Sequence, residues 1–300
     1  GIDFSGGRNY IIRFAEPVNT QEVNAALDNV FMEAKSELAD EETFALNVIT
    51  IGDANQVRVS TNYRINDNSE TLDDEIEALL YEGCKQFLPE NVTLKEFTST
   101  DINPEIGIMQ SQKVGPAIAD DITQSAVWAV LAALLGIFLY VLLRFRNFSF
   151  SVGALAGLAH NTLIVLGAYA LLWKVMPFSM EIDQSFIAAI LTVIGYSIND
   201  TVVIFDRVRE YTGLYPKRAR KQNINDALNQ TLSRTFSTSM STLVVLIAIF
   251  CFGGETIRGF VFALIIGVVV GTYSSLCVAT PLAYDIQEAL DRRKAKKASK

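Results

Sequence analysis

Residues Phe186 to Phe205 read FIAAILTVIGYSINDTVVIF, an apolar stretch with a carboxylate inside it, Asp200, and two polar neighbours, Ser197 and Asn199. A membrane-spanning helix needs about 20 mostly apolar residues, so the stretch is long enough to span a bilayer. If the helix ends near Asp206, Asp200 lies six residues deep, about 9 Å at 1.5 Å per residue, too far for its short side chain to reach water. A carboxylate placed in lipid is costly. Such residues turn inward to a helix bundle and mark a path for ions or protons, or else lock helix packing as a protonated or paired group.

Working outward, four further runs qualify or nearly do: Gln124–Leu143, Ser149–Trp173, Thr238–Phe252 and Phe260–Ala283. The Thr238–Phe252 run is short, so its helix is expected to begin upstream, among Ser233–Ser237. Five such runs in succession exclude a soluble protein. The remainder differs sharply in charge. Residues 1–118 hold 21 acids and 8 bases, whereas residues 119–300 hold 12 acids and 17 bases. The domain reading is therefore 1–118 as a separate external domain, 119–285 as a bundle of five transmembrane helices, and 286–300 as a basic tail. An acidic external half argues against nucleic-acid binding, which needs a basic face. Cys84, Cys251 and Cys277 are too few and too scattered for a disulfide framework or a zinc site.

The loops give the orientation. Arg144 and Arg146 follow the first run. Arg207, Arg209, Lys217, Arg218, Arg220, Lys221 and Arg234 follow the third, and Arg292, Arg293, Lys294, Lys296, Lys297 and Lys300 form the tail. The other two loops hold only Lys174 and Arg258. Basic residues stay on the cytoplasmic side, so the tail is expected inside and residues 1–118 outside. Five spans satisfy this, but an external N-terminal domain needs an earlier helix to bring it across, and a first transmembrane helix before Gly1 is inferred.

Residues 1–118 alternate between elements. Asn9–Phe14, Phe44–Ile51 and Gln56–Thr61 read as strands, the last two joined by a turn at Gly52–Asn55. Thr20–Leu38 has a helical period that puts Val23, Leu27, Val30, Phe31 and Ala34 on one face, and Leu72–Phe87 is a second helix with acids in its first turn. Asn91–Phe97 is expected as a fourth strand. The order β-α-β-β-α-β is the ferredoxin-like split βαβ unit, an α+β fold that names no function.

Arg234, in NQTLSRTFSTS (Asn229–Ser239) at the mouth of the fourth span, is the natural partner of Asp200, with interfacial snorkelling as the alternative. Thr238 follows it at i+4 on the same helix face, in a segment rich in hydroxyls. Asp206 reads as an interfacial anchor. His160, mid-run in the second span beside Asn161, either relays protons or bonds a neighbouring helix. With no second His or Cys nearby, no metal is expected. Gly153-xxx-Gly157 and Gly267-xxx-Gly271 suit close helix contacts. No nucleotide-binding motif and no hydrolase or metalloprotease motif is present, and no cofactor is expected.

Several long motifs in order then point to a family. GIDFSGG (Gly1–Gly7), Val114-Gly115-Pro116, GYSINDTVVIFDRVRE (Gly195–Glu210), NQTLSRTFSTS (Asn229–Ser239), Gly259-Phe260 with GTYSS (Gly271–Ser275), and Ala279-Thr280-Pro281 together resemble SecF, or the SecF half of a fused SecDF, of the bacterial Sec export machinery. The resemblance implies a transporter half of the RND superfamily in the bacterial inner membrane: six spans, here with the first missing, and an extracytoplasmic ferredoxin-like domain. It implies SecD as partner, separate or fused, beside the SecYEG channel, the unfolded exported polypeptide and the lipid bilayer. It also implies that proton-motive force is used to draw polypeptides outward, with Asp200, Arg234 and Thr238 serving proton passage and Asn199 within the same motif. The protein is then not an enzyme. An RND exporter of small molecules or lipids, and a purely structural translocase subunit, are the other readings.

Overall fold

Strand β1 (Gly7–Arg13), which follows a single helical turn, α1 (Ile2–Ser5), occupies the interior of an antiparallel sheet. Its alternation turns Tyr10 and Ile12 into the core. Helix α2 (Thr20–Glu37) carries Val23, Leu27 and Phe31, all fully buried, on one stripe, as the period predicts. Strands β2 (Leu46–Thr50) and β3 (Gln56–Thr61) form the expected hairpin. Helix α3 (Leu72–Cys84) buries Leu72, Ile76, Leu80 and Cys84, spaced by four, and has Asp73, Asp74 and Glu75 at its positive end. The computed structural model describes every residue except 38–43, 68, 70, 174, 177, 179, 299 and 300. Leu38, Lys174 and Lys300, each used in the sequence reading, therefore lie outside the described residues.

The fourth strand is not where β-propensity puts it. Residues Leu94–Thr98 form a short helix, α4, because Thr93 and Glu96 close a capping box: the Glu96 amide donates to the Thr93 hydroxyl oxygen, and the Thr93 amide donates to the Glu96 carboxylate at 2.7 Å. Strand β4 (Gly107–Val114) follows instead and pairs with the free side of β1. The sheet order β2-β3-β1-β4, antiparallel throughout, is that of the ferredoxin-like fold. Arg8 on β1 is almost fully buried. Its Nε donates to Asp73 at 2.8 Å and its Nη1 to the Tyr63 carbonyl oxygen at 3.3 Å, so the charge enters the core with partners.

By packing, the chain divides into two compact units. One comprises Gly1–Ser125 with Pro177–Gln184 and Gly254–Thr256, and the other holds the rest. Within the first unit the Glu181 carboxylate accepts from Arg58 at 3.2 Å and Asn47 at 3.3 Å, and the Asp3 carboxylate accepts from the Gln184 amide at 3.1 Å.

All five apolar runs are helices: α5 (Pro116–Phe145), α6 (Phe148–Leu172), α7 (Gln184–Leu214), α8 (Arg220–Phe252) and α9 (Glu255–Ser274). Helix α9 continues through a π-helical turn, Ser275–Ala279, into α10 (Thr280–Ala298). Arg146, with φ +50°, makes the turn from α5, and Asn147 caps α6 by accepting from the Ser149 amide at 2.9 Å. Helix α8 begins thirteen residues before Ser233, and α7 does not end near Asp206 but runs two turns further, to Leu214. Loss of apolar character marks where a helix leaves lipid, not where it stops. Both glycine pairs sit at close contacts. A Cβ on Gly153 would lie 2.5 Å from the Ala279 carbonyl oxygen, and one on Gly267 would lie 2.1 Å from Val193 Cγ2.

Candidate functional site

Helix α7 turns one stripe inward: Val193, Ser197, Asp200, Thr201, Ile204 and Val208, at helical spacing. Asp200 is only 5% exposed. Its carboxylate lies beside the Ser239 hydroxyl of α8, which itself bonds Thr272, and in the positive field of Arg234. Among the described residues Asp200 and Arg234 form no direct ion pair, so the guanidinium acts across a gap rather than by a fork contact.

Around Asp200 runs a seam of polar groups that ties four helical segments together. The Asn161 amide of α6 donates to Ser197 Oγ at 2.8 Å. The hydroxyls of Thr201 and Ser275 share a hydrogen bond of 2.9 Å, and those of Ser239 and Thr272 share another. Ser274 donates to the Gly157 carbonyl oxygen at 2.9 Å, where the glycine lets the helices meet. Hydroxyls and amides are small, rotatable, and able both to donate and to accept. A chain of them can accommodate either protonation state of the carboxyl they surround.

The residues singled out in the sequence fall unevenly on this seam. Asp200 is at its heart. Thr238 is exposed, and its hydroxyl donates to carbonyls of its own helix, Arg234 at 2.8 Å and Thr235 at 3.0 Å; the next residue, Ser239, lies beside Asp200. Asn199 is exposed and Arg234 is exposed. His160 is half-buried with its ring 6.2 Å from that of Tyr273, while its neighbour Asn161 joins the seam. Asp206 bridges two arginines, accepting from Arg144 at 3.0 Å and Arg209 at 2.9 Å. Sequence reasoning passed over Ser197, Thr201, Thr272 and Ser275 as site residues. The i, i+4 hydroxyls of Ser197 and Thr201, flanking Asp200 in an apolar helix, were the available signal. Among the described residues no group of His, Cys, Asp and Glu is placed to hold a metal ion.

A split βαβ domain, joined to five long apolar helices with a carboxyl buried among hydroxyls in their midst, defines a multi-pass membrane protein of the RND type. The profile described as "Protein export membrane protein SecD/SecF, C-terminal" matches residues 94–289. The chain is 39% identical over 288 residues to the protein translocase subunit SecF of Rhodothermus marinus, covering 96% of this chain and 83% of that one. It is 35% identical to the SecF of Thermodesulfovibrio yellowstonii, covering 94% and 81%. The crystal structure of SecDF from Thermus thermophilus, a translocon-associated membrane protein, superposes with a TM-score of 0.72 at 32% identity over 96% of this chain. This chain spans about a third (34%) of that longer one. The chain belongs to the SecF family.

Proposed function

We propose that this protein couples proton entry at Asp200 to the export of polypeptides. As a SecF-family protein it is an accessory subunit of the Sec protein translocase and not an enzyme. In this reading SecD, separate or fused, completes the membrane unit beside the SecYEG channel. The ferredoxin-like domain stands outside the plasma membrane and the basic α10 end inside, as the fifteen bases of the inner loops and tail favour. The observation that carries the reading is the Asp200 carboxyl, buried inside an apolar helix bundle beside Ser239 and in the field of Arg234. Protonation removes the attraction to Arg234, which biases α7 against α8 and so moves the bundle between two packings. The driving force is adequate, since one charge moved through 100 mV yields about 2.3 kcal/mol. Asn199, Thr238 and His160 lie outside the seam's hydrogen bonds and take supporting parts at most.

The test is Asp200→Asn, assembled with SecD in vesicles bearing a proton gradient. The variant is expected to insert at wild-type level and to lose the gradient-dependent part of export. Export at the wild-type rate with the gradient intact would end the proton reading.

A further inference from the structure

At the end of the bundle where α5 turns into α6 and α7 leads towards α8, the helix ends enclose a cavity of about 180 Å³. A single water needs only about 10–15 Å³ on such a measure, so a group of several heavy atoms fits. Phe145, Phe150 and Ile224 give it an apolar lining, and Arg209 and Arg220 give it charge. Both arginine side chains reach solvent, 49% and 39% exposed. Among the described residues that line it, none is acidic.

The charge around this cavity does not balance. The guanidinium groups of Arg144 and Arg209 each lie 5.4 Å from the centre of the Phe145 ring, which holds them close together. Asp206 is the single carboxylate that pairs with both, at 3.0 and 2.9 Å. Arg220 pairs with Asp291 at 2.8 Å and also acts on Glu288, which itself pairs with Arg292, so that four arginines, Arg144, Arg209, Arg220 and Arg292, face three carboxylates. One positive charge is therefore left over beside an apolar cavity, at the end of the bundle whose turns also carry Arg146, Lys217, Arg218 and Lys221. In the topology proposed above that end of the bundle meets the phospholipid headgroups, and a guanidinium binds a phosphate through a two-pronged contact. A free phosphate would gain nothing from the apolar lining; a headgroup with glycerol and chain attached would.

We infer that this cavity holds the headgroup phosphate of an anionic phospholipid, gripped by Arg209 and Arg220. The site is independent of the proton path, and its test does not use export. The full chain in mild detergent is titrated with phosphatidylglycerol, with phosphatidylcholine and with inorganic phosphate, following bound lipid by native mass spectrometry and the melting temperature. Phosphatidylglycerol is expected to bind at about tenfold lower concentration than phosphatidylcholine, the worth of one charged contact, and to raise the melting temperature where inorganic phosphate does not. Arg209→Gln combined with Arg220→Gln removes that preference, whereas Arg293→Gln with Lys294→Gln, an equal loss of charge in the tail, leaves it. Equal binding of the two lipids by the unaltered protein, equal stabilisation by inorganic phosphate, or loss of preference in the tail variant overturns the assignment. The first two comparisons need no variant to fold.

Discussion

Placing a methyl group on Gly267 tests whether α7 is held where Asp200 needs it. The new Cβ would lie 2.1 Å from Cγ2 and 2.7 Å from Cγ1 of Val193, far inside the roughly 3.5–4.0 Å of a carbon contact. Val193 is buried, and a valine in a helix keeps about nine-tenths of its population in one rotamer, so it has nowhere to swing. Either α9 retreats or Val193 is forced off its rotamer, and overpacking of this kind costs about 1–3 kcal/mol. Val193→Ala removes the two nearest atoms and leaves only its Cβ, at 3.0 Å, a contact that a shift of a few tenths of an ångström relieves. By itself it loses packing, but combined with Gly267→Ala it returns a methyl to the space just vacated. The two changes should therefore compensate, with a coupling of about 1–2 kcal/mol. The assay is a double-mutant cycle of unfolding in mixed detergent micelles, read by helicity, with export measured in parallel. Asp200 lies seven residues beyond Val193 on the same buried stripe, so Gly267→Ala should depress export and Val193→Ala should restore part of it. A double variant no more stable than Gly267→Ala alone would refute the packing argument.

Ser239→Ala should impair gradient-driven export more than Thr238→Ala, because Ser239 is buried beside Asp200 while the Thr238 hydroxyl is exposed and serves its own backbone; equal defects would remove Ser239 from the path. Arg234→Lys, which keeps the charge, should retain most of the export rate and Arg234→Gln should not, since Arg234 acts on Asp200 without a fork contact; a lysine variant as poor as glutamine would restore the direct pair. Burial pushes the Cys84 thiol of the ferredoxin-like domain up to about 12 from its ordinary 9.0, so this thiol should resist maleimide at pH 8 until the domain unfolds. The unfolded chain releases that proton first. The stabilising contribution is therefore complete below pH 9 and is lost as pH rises through 12, and Cys84→Ala should flatten that decline in a pH series of domain melting.

Much of the bundle was legible because membrane solvent imposes a coarse rule: apolar length fixes spans, and small residues mark contacts. The ferredoxin-like domain was legible as far as periodicity reached. It failed at Asn91–Phe97, where Val92, Thr93 and Phe97 suggest a strand but Thr93-Leu94-Lys95-Glu96 is a capping box that starts a helix. Strand β4 was missed because its middle, Gln110–Lys113, is polar, as the edge of a sheet can be. Asp200 was legible as a charge out of place. Its partner was not, because choosing Ser239 over Thr238 requires the rotation of α8 about its axis relative to α7, a tertiary quantity that Arg234 at i−4 to Thr238 cannot report. Helix α7 outlasts its apolar stretch because Arg207–Glu210 and Asp206–Arg209 support it with paired charges one turn apart.

The π-helical turn at Ser275–Ala279 has a practical consequence for anyone altering this chain. It stores one residue more than an α-helix of the same span would use, so α9 and α10, though continuous, are out of phase by about 100°. A helical wheel drawn through both assigns the wrong face to one of them. A cysteine scan or crosslinking map must be indexed separately on either side. By the same reasoning, deleting one residue from this turn would yield a straight α-helix with no break in its hydrogen bonding. It would also swing every residue from Thr280 onward to a new bearing, moving Ala283 off Gly153 and Gln287 off Ser149.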